Sequence, residues 1–429
     1  MRRHFSRRFI IDEYIIQLFK AVNMHILLIH QAFITPEDSG GTRHFELCKE
    51  LAERGHEVTI ITGDKDYLSG GKRRGTSSST CSGLNIRAVR TLAPIHSGFI
   101  PRLINYLTFM LNSFLATFLV KKPDVVYGTS PPIFQGLTAY LASRQKRAPF
   151  VLEIRDLWPD FVIQIGAVRN PVIISLSRWL ERLLYRKADL IIVNSPGFPP
   201  HIRAKGVREE KIHLVPNGVD TSLFKPGDNG RAIREKLGLE GKFVVLYAGA
   251  IGKSNDIGKV LDAASLLKGK EDIVILLVGG GNEKEKLEKR ATIEGLKNVI
   301  FIPPVEKSQI PDYIAASDVG LAILKDVPMF RTTYPNKVFD YMAGGRPVLL
   351  AIDGVIREVV ERANAGIFVP PGNPEAIAAG MVKMCSDQNL QKEMGARGRK
   401  FVEEHFERKG QSLELEKILL EVLAKHVER

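Results

Sequence analysis

Residues 334–350 contain a loop with a proline, then a short predicted helix and then an apolar strand. A pair of glycines ends the helix before the strand begins. Lys337 and Asp340 lie three positions apart on that helix and therefore share one side of it. Backbone N–H groups at a helix N-terminus attract phosphate, Lys337 adds a point charge, and Asp340 can accept hydrogen bonds from ribose hydroxyls. The segment predicts a nucleoside diphosphate site. The competing interpretation is a helix that packs on a sheet and carries two solvated charges.

Glycine and lysine residues follow other predicted strands, where a ligand could approach the backbone. Gly40 and Gly41 open the first helix and allow a phosphate or sugar close to N–H groups, although a tight turn also needs glycine for steric reasons. Their spacing matches neither a dinucleotide-binding fingerprint nor a Walker loop. Lys253 follows the first strand of the second half, where it could meet phosphate or remain a solvated loop residue.

Residues 153–160 place four charged side chains around Trp158 at the end of an apolar strand. Charges at the mouth of a buried strand cost free energy unless they are paired or used. We therefore predict that Arg155 and Asp156 belong to a catalytic or sugar-binding cluster. The alternative is an ion pair between Arg155 and a carboxylate that only holds the loop.

Apolar runs and amphipathic helices alternate along the chain, and the alternation restarts after turn-forming residues near 223–230. Continuous apolar strands predict parallel sheets that are covered on both faces. The predicted strands are residues 25–30, 58–61, 124–127, 150–154 and 190–193, and then 243–247, 273–278, 299–302, 319–322 and 348–350.

This pattern predicts an α/β protein with two doubly wound, Rossmann-like domains that face a central cleft, where the carboxyl ends of their strands meet. The predicted parts are an N-terminal extension (1–23), a first domain (24–222), a second domain (223–400) and a C-terminal helix that returns to the first domain (401–429).

The formal net charge of +13 and the pI near 9.5 predict an anionic partner. No nucleic-acid-binding module accompanies the charge, so the composition favours a membrane surface or a phosphorylated substrate over nucleic acid. The three cysteines, Cys48, Cys81 and Cys385, lack metal-ligand spacing. We therefore expect no metal site. We also expect a cytoplasmic location, either free in the cytoplasm or at the inner face of the cell membrane.

Two segments combine apolar residues with basic or polar residues and could contact a membrane. Residues 1–22 fit an amphipathic membrane helix, or an extension ahead of a true start at Met24. Residues 100–120 predict an amphipathic helix at the membrane interface or a core helix, and they are too polar to span a bilayer. Residues 69–82 are small, polar and basic and predict a loop.

With both domains in view, the segments EIRDLWP at residues 153–159 and PNKVFDYMA at residues 335–343 resemble glycosyltransferase family 4, which has the GT-B fold. The similarity runs from Met24 to the end, and the most similar branch contains bacterial N-acetyl-L-fucosamine transferases of polysaccharide assembly. The resemblance implies donor-binding roles for Gly40, Gly41, Asn336, Lys337 and Asp340, with Lys337 at the diphosphate and Asp340 at the ribose. It also implies that residues 301–305 lie beside the base, that the first domain (24–222) is the acceptor side and that the second domain (223–400) binds the nucleotide sugar.

Three positions depart from the family pattern. Thr332 stands where the first glutamate of the paired-glutamate signature touches the donor sugar, and Ala250 replaces an arginine, which leaves Lys253 as the phosphate partner. Arg155 stands where many relatives carry a histidine. The resemblance further implies retention of anomeric configuration with neither a metal nor another cofactor.

The leading hypothesis is an enzyme that transfers a hexose or N-acetylhexosamine from a nucleotide sugar, most simply a UDP-sugar, to a glycan acceptor. The basic charge fits a polyprenyl-phosphate-linked acceptor and peripheral membrane association, and a soluble acceptor fits equally. The alternatives are a nucleotide-sugar epimerase with the same two-domain architecture and a non-catalytic protein that binds sugar nucleotides.

Overall fold

A computed structural model describes residues 23–65, 79–92, 99–227 and 230–428. The predicted extension lies outside the described residues except for Asn23, and so does the predicted loop at 69–82 up to residue 78. The loop prediction is wrong for Ser79–Cys81, which form a short strand. A two-residue turn with positive φ at Ser82 and Gly83 allows this strand to pair antiparallel with the next one.

The first domain is built on one sheet. Its strands are β1 (His25–Ile29), β2 (Glu57–Gly63), β3 (Ser79–Cys81), β4 (Leu84–Val89), β5 (Val125–Ser130), β6 (Phe150–Ile154), β7 (Leu190–Val193) and β8 (Ile212–Leu214). Its helices are α1 (Arg43–Glu53), α2 (Phe99–Thr117), α3 (Ile133–Lys146), α4 (Asp160–Gln164), α5 (Pro171–Lys187) and α6 (Phe198–Arg203). The strand order is β3-β4-β2-β1-β5-β6-β7-β8, and all pairs except β3 with β4 are parallel.

The second domain is built on an entirely parallel sheet. Its strands are β9 (Phe243–Ala248), β10 (Ile273–Val278), β11 (Val299–Ile302), β12 (Val319–Ile323), β13 (Val348–Ala351) and β14 (Gly366–Phe368), in the order β11-β10-β9-β12-β13-β14. Its helices are α7 (Arg231–Leu237), α8 (Ile257–Leu266), α9 (Lys284–Ile293), α10 (Ile310–Ala315), α11 (Asn336–Ala343), α12 (Val355–Ala363), α13 (Pro374–Cys385) and α14 (Gln388–His405).

Both sheets have a switch point at which the strand order reverses, and these points position the ligand-binding edges. In the first sheet β1 lies between β2 and β5, and in the second β9 lies between β10 and β12. Apolar side chains bury both faces of the central strands, which explains why these strands are continuous apolar runs. The prediction of two doubly wound domains is correct.

The C-terminal helix α15 (Arg408–Val427) packs on α1 of the first domain. Leu415, Ile418 and Leu419 join the core that β1 and α1 form. The Glu416 carboxylate accepts hydrogen bonds from Arg54 Nε at 2.6 Å and His56 Nε2 at 2.9 Å. These contacts tie the end of the chain to the domain in which it began.

A buried carboxylate joins β6 to the start of α1. Glu153 has no exposed surface and accepts hydrogen bonds from Arg43 Nε at 2.9 Å, His44 Nε2 at 2.7 Å and the Tyr127 hydroxyl. Burial alone would raise the pKa of Glu153, but the interactions with His44 and Arg43 outweigh burial and hold the pKa below its ordinary value. Glu153 therefore stays ionised and fixes the first turn of α1 against the sheet.

Within the described residues, no helix combines the length and the apolar character that crossing a bilayer requires.

The packing of α15 predicts that Leu419→Ala destabilises the first domain. Leu419 is fully buried, so the truncation leaves a cavity and should lower the free energy of unfolding by about 2–5 kcal/mol. Leu413 is on the same helix and 41% exposed, so Leu413→Ala should cost less than about 0.5 kcal/mol. Urea unfolding of both variants measures the difference, and equal losses would contradict the packing of α15.

The buried carboxylate predicts a pH-dependent defect for Glu153→Gln. The variant leaves Arg43 without its countercharge, so we expect it to lose about 3–5 kcal/mol at neutral pH. Because the pKa of Glu153 is lowered in the folded protein, its stabilisation is complete above about pH 4.5, the ordinary value, and is lost as the pH falls through the folded-state pKa. The difference from the wild type should therefore shrink in acid.

Urea unfolding across this pH range tests the effect, with the exposed Glu240→Gln as the matched control. A Glu153→Gln defect that is independent of pH would contradict an ionised carboxylate at this position.

Candidate active site

A cavity of about 620 Å³ lies between the two domains, at the carboxyl ends of the central strands. The first domain lines it with the loop before α1 and the segment after β6, and the second domain with the loop after β9 and the start of α11. Seven predicted site residues lie on this cavity: Gly40, Gly41, Arg155, Asp156, Asn336, Lys337 and Asp340.

Lys253 is the predicted donor-binding residue that does not line the cavity. Its side chain is exposed, whereas Ser254 and Asn255, the next two residues, do line the cavity. Ala250, at the position where the family arginine was expected, also lines it, and its carbonyl accepts a hydrogen bond from Tyr247 Oη at 2.6 Å. A contact between Lys253 and phosphate stays a prediction.

The ammonium group of Lys337 is the most distinctive charge on the cavity. Its Nζ is buried, lies 3.6 Å from the centroid of the Tyr247 ring, and has no hydrogen-bond partner among the described residues. Burial lowers the pKa of Lys337 to about 7, against the opposing effect of Asp340. A buried cation with open donor sites is a natural place for an anion to bind.

Asn336 adds a second unsatisfied polar group at the start of α11. Its Oδ1 is buried without a hydrogen-bond partner among the described residues. A Cβ atom on Gly41 would lie 3.6 Å from Asn336 Nδ2, so the glycine loop of the first domain directly faces the helix start of the second. A ligand between these elements would contact both domains.

Asp340 is paired with a lysine that the sequence analysis missed. Lys307 Nζ donates to Asp340 Oδ2 at 2.7 Å, and both side chains are largely buried. Burial raises the pKa of Asp340, and the charge of Lys307 opposes this effect. Lys307 lies on the cavity in a turn after β11, and its position in a loop 33 residues before Asp340 gave no sequence signal.

Arg155 and Asp156 face the second domain from the end of β6. The Arg155 guanidinium donates to the Pro131 carbonyl at 2.5 Å, which orients it at the cavity. Burial raises the pKa of Asp156 to about 6, and the charge of Arg155 opposes the rise. A carboxyl group with this pKa can exchange a proton near neutral pH, as general acid–base chemistry requires.

Asp160, the last charge of the same motif, belongs to a separate cluster. It accepts hydrogen bonds from Arg178, His201 Nε2 and Lys205 Nζ. Asp160, His201 and Glu181 are close enough to hold a metal ion, but the Lys205 ammonium bridges both carboxylates at 2.6–2.8 Å and supplies the positive charge there. This cluster does not line the cavity.

Arg43 and His44 also line the cavity, and the sequence analysis missed both. Their adjacency directly after the Gly40-Gly41-Thr42 turn was the available signal. The His44 ring lies 4.3 Å from the His30 ring, centroid to centroid, and burial lowers the pKa of His44 despite the adjacent Glu153. The first domain therefore presents a histidine to the cavity in addition to Arg155.

Direct hydrogen bonds hold the two domains around the cavity. Lys307 N–H donates to the Asp38 carbonyl at 3.1 Å, and Asn217 Nδ2 donates to the Tyr334 carbonyl at 2.7 Å. Ser195 Oγ donates to the Thr332 carbonyl at 2.5 Å. Thr332 does not line the cavity, so the position at which the family glutamate was expected contributes to the domain contact.

Two family models match the chain, one for each domain. The glycosyl transferase 4-like domain matches residues 40–218, and the glycosyl transferases group 1 model matches residues 229–401. WcaI of Escherichia coli K12, a protein assigned to colanic acid biosynthesis as a glycosyl transferase, is 24% identical over 376 residues, which cover 83% of this chain and 91% of WcaI.

Solved structures share the whole fold. Sucrose-phosphate synthase of Thermosynechococcus elongatus has a TM-score of 0.76 at 20% identity and covers 94% of this chain and 100% of its own. HepE of Anabaena, in complex with UDP and glucose, has a TM-score of 0.71 at 19% identity, and the match covers 92% of this chain and 99% of the HepE chain. The predicted GT-B fold is confirmed, and neither family model favours an epimerase. The first domain of this chain is therefore similar to the glycosyl transferase 4-like domain, and the second domain is similar to the group 1 glycosyltransferases.

Proposed function

We propose that this glycosyltransferase moves a hexose or N-acetylhexosamine from a UDP-sugar to a glycan linked to polyprenyl phosphate. The reaction retains the anomeric configuration and needs no metal ion. The observation that carries the proposal is the buried Lys337 ammonium, which lines the cavity without a hydrogen-bond partner among the described residues. The diphosphate of a donor would supply the missing partner and countercharge.

The donor occupies the second-domain side of the cavity. Lys337 and the N-terminus of α11 bind the diphosphate, and the paired Asp340 and Lys307 bind the ribose hydroxyls. Val305, beside the end of β11, also lines the cavity and lies near the base. The UDP bound to HepE, which has the same fold, supports a uridine nucleotide as the donor.

Transfer breaks the bond between the anomeric carbon and the diphosphate oxygen, and the bonding electrons leave with the diphosphate. Lys337 stabilises this negative charge, as a preorganised cation does most effectively in a site from which water is excluded. The acceptor hydroxyl forms the new bond on the face that the diphosphate leaves, and its proton passes to the diphosphate. Arg155 and Asp156 lie on the first-domain side, where they orient the acceptor.

The acceptor assignment rests on charge and on the relatives. A net charge of +13 favours a phosphate-linked acceptor at the inner face of an anionic membrane. The assignment of WcaI to colanic acid biosynthesis supports a role in polysaccharide assembly. We include N-acetyl-L-fucosamine among the candidate donor sugars, because the sequence motifs resemble the branch of N-acetyl-L-fucosamine transferases.

Release of nucleoside diphosphate from UDP-, GDP- and dTDP-sugars, with and without a polyprenyl-phosphate-linked glycan, tests the function. Acceptor-dependent release of UDP is the expected result. Lys337→Ala should lower kcat/KM by at least about 100-fold because it removes the charge that stabilises the leaving group. The exposed Lys268→Ala serves as the control. Unchanged turnover in Lys337→Ala, or an epimerised sugar as the product, would refute the assignment.

The lowered pKa of Lys337 predicts that UDP binds together with a proton. With a pKa of about 7 in the empty site, Lys337 is mostly neutral at about pH 8, and the diphosphate should raise its pKa. The terminal phosphate, with a pKa of about 6, is already ionised there. UDP affinity should therefore fall as the pH rises above about 7, by up to about tenfold per pH unit.

Calorimetry of UDP binding in two buffers with different ionisation enthalpies measures the proton uptake directly. Lys337→Gln should abolish the uptake, and the Lys268→Gln control should retain it. Equal proton uptake in the wild type and in Lys337→Gln would exclude Lys337 as the linked group.

A further inference from the structure

Three helices lie side by side on one face of the first sheet, because α3 packs against both α2 and α5. Together they contain a single acidic residue, Glu181, which is buried and bonded to Lys205. Their basic residues are Arg102, Arg144, Lys146, Arg178, Arg182, Arg186 and Lys187. This face of the domain is therefore positively charged and almost free of opposing charge.

On α2, several apolar side chains face outward and several polar side chains face the protein interior. Leu111 and Leu115 are 58% and 54% exposed, whereas Asn105, Ser113 and Thr117 have no exposed surface. The buried polar groups are satisfied inside the domain: Asn105 Oδ1 accepts from Gln31 at 2.6 Å, and Thr117 donates to Gln145 at 2.8 Å. The exposed apolar residues form a ridge at helical spacing: Ile104, Leu107, Leu111, Leu115 and Phe118. A helix that faces only water has the opposite arrangement.

α5 carries exposed apolar residues as well. Val172, Leu176 and Trp179 are each more than half exposed and lie at a spacing of three to four residues, so they form a second ridge. A groove of about 1150 Å³ runs beside it, and no carboxylate lines the groove. The cations that line it are Arg169, Arg178, Arg182, Arg186, Lys205, Arg208 and Lys211. Arg178, Lys205 and Arg208 are paired with carboxylates that lie outside the groove.

We propose that the outer surface of α2, α3 and α5, which we call the basic apolar face, docks on an anionic lipid bilayer. The leucines and Trp179 insert among the lipid headgroups, where an indole ring with an apolar body and a polar N–H is favoured. The arginines of the groove bind headgroup phosphates. Apolar insertion and a polybasic patch are the two signals that stable peripheral binding requires.

A second copy of this chain is the other occupant to consider. A two-fold symmetric dimer through this face would bring the same surface of both subunits together, and so would place its cations against each other. The repulsion disfavours a dimer, whereas an anionic bilayer offers charge complementarity to the whole face.

The face also borders the active-site cavity. Tyr106 of α2 lines the cavity, whereas Leu107, the next residue, is 40% exposed on the apolar ridge. An acceptor anchored in the bilayer by its lipid could therefore reach the cavity beside α2. This step deepens the proposed function and rests on its lipid-linked acceptor, but docking itself needs neither donor nor turnover.

Vesicle sedimentation of the full chain tests the docking, with phosphatidylcholine alone against an equal mixture with phosphatidylglycerol. We expect at least about tenfold stronger partitioning onto the mixture, lost at about 0.5 M salt as the charges are screened. The variant Leu176→Ser/Arg182→Gln/Arg186→Gln should lose at least about tenfold in partitioning. Leu176 and both arginines are exposed, so the fold should tolerate the changes.

The second domain offers a matched control, Leu266→Ser/Lys268→Gln/Lys270→Gln, because Leu266 is 57% exposed and Leu176 is 60% exposed. The control should bind vesicles like the wild type. The proposal would be overturned if the wild type partitioned equally onto vesicles with and without phosphatidylglycerol. It would also be overturned if both triple variants lost vesicle binding to the same extent. Sedimentation equilibrium that reveals a dimer broken only by the Leu176 variant would overturn it as well.

Calorimetric binding of UDP should be the same in both triple variants and the wild type, which separates docking from donor binding. If the Leu176→Ser/Arg182→Gln/Arg186→Gln variant loses vesicle binding and still binds UDP, the result supports docking through the basic apolar face. Vesicle binding in a protein that binds no UDP would refute the proposed donor site and leave the docking surface standing.

Discussion

The ionised carboxylate of Glu153, buried at the end of β6, is the constraint around which the site side of the first domain is organised. A charge without exposed surface needs neighbours with good geometry, and from the first turn of α1 Arg43 supplies the countercharge and His44 a hydrogen bond. Arg43 follows Gly41 by two residues, so the ion pair also fixes the glycine loop at the cavity. The same guanidinium donates to the carbonyls of Val215 and Pro216 at 2.7 and 2.6 Å. It thereby orients the segment in which Asn217 contacts the second domain.

The two lysines on the opposite side of the cavity differ because, among the described residues, only Lys307 forms an ion pair. Lys307 is neutralised by Asp340 and so holds that carboxylate in place. The ammonium group of Lys337 is buried, and its contact with the face of the Tyr247 ring partly offsets the loss of hydration. The pKa of Lys337 is lowered because burial disfavours the charged form. A fully neutralised site would bind an anion poorly. The open cation makes the cavity complementary to an anion, such as the diphosphate of the proposed donor, at some expense of stability.

Local pattern was enough to predict the central strands, the helix that carries Lys337 and Asp340, and the two-domain order. These features depend on apolar runs and on residue spacing within one turn of helix. Strand β4, which lies between β3 and β2, was missed because its burial alternates with exposure, so it lacks a continuous apolar run. Arg43, His44 and Lys307 were missed because their partners lie far along the chain: Glu153 is 110 residues from Arg43. Nothing in the local sequence indicates which carboxylate will meet which cation across a sheet.

The segment at residues 100–120 illustrates why hydrophobic periodicity alone cannot assign a helix face. Its pattern is equally consistent with leucines turned inward and asparagine, serine and threonine turned outward, and only the packing decides. α2 takes the other orientation because Gln31 and Gln145 provide partners for Asn105 and Thr117 inside the domain. The apolar ridge is then left on the surface, next to the cavity that Tyr106 lines. The proposed docking of this ridge on a bilayer would confine the protein to the surface that carries the proposed lipid-linked acceptor, so the acceptor search would become two-dimensional while the donor still enters from water.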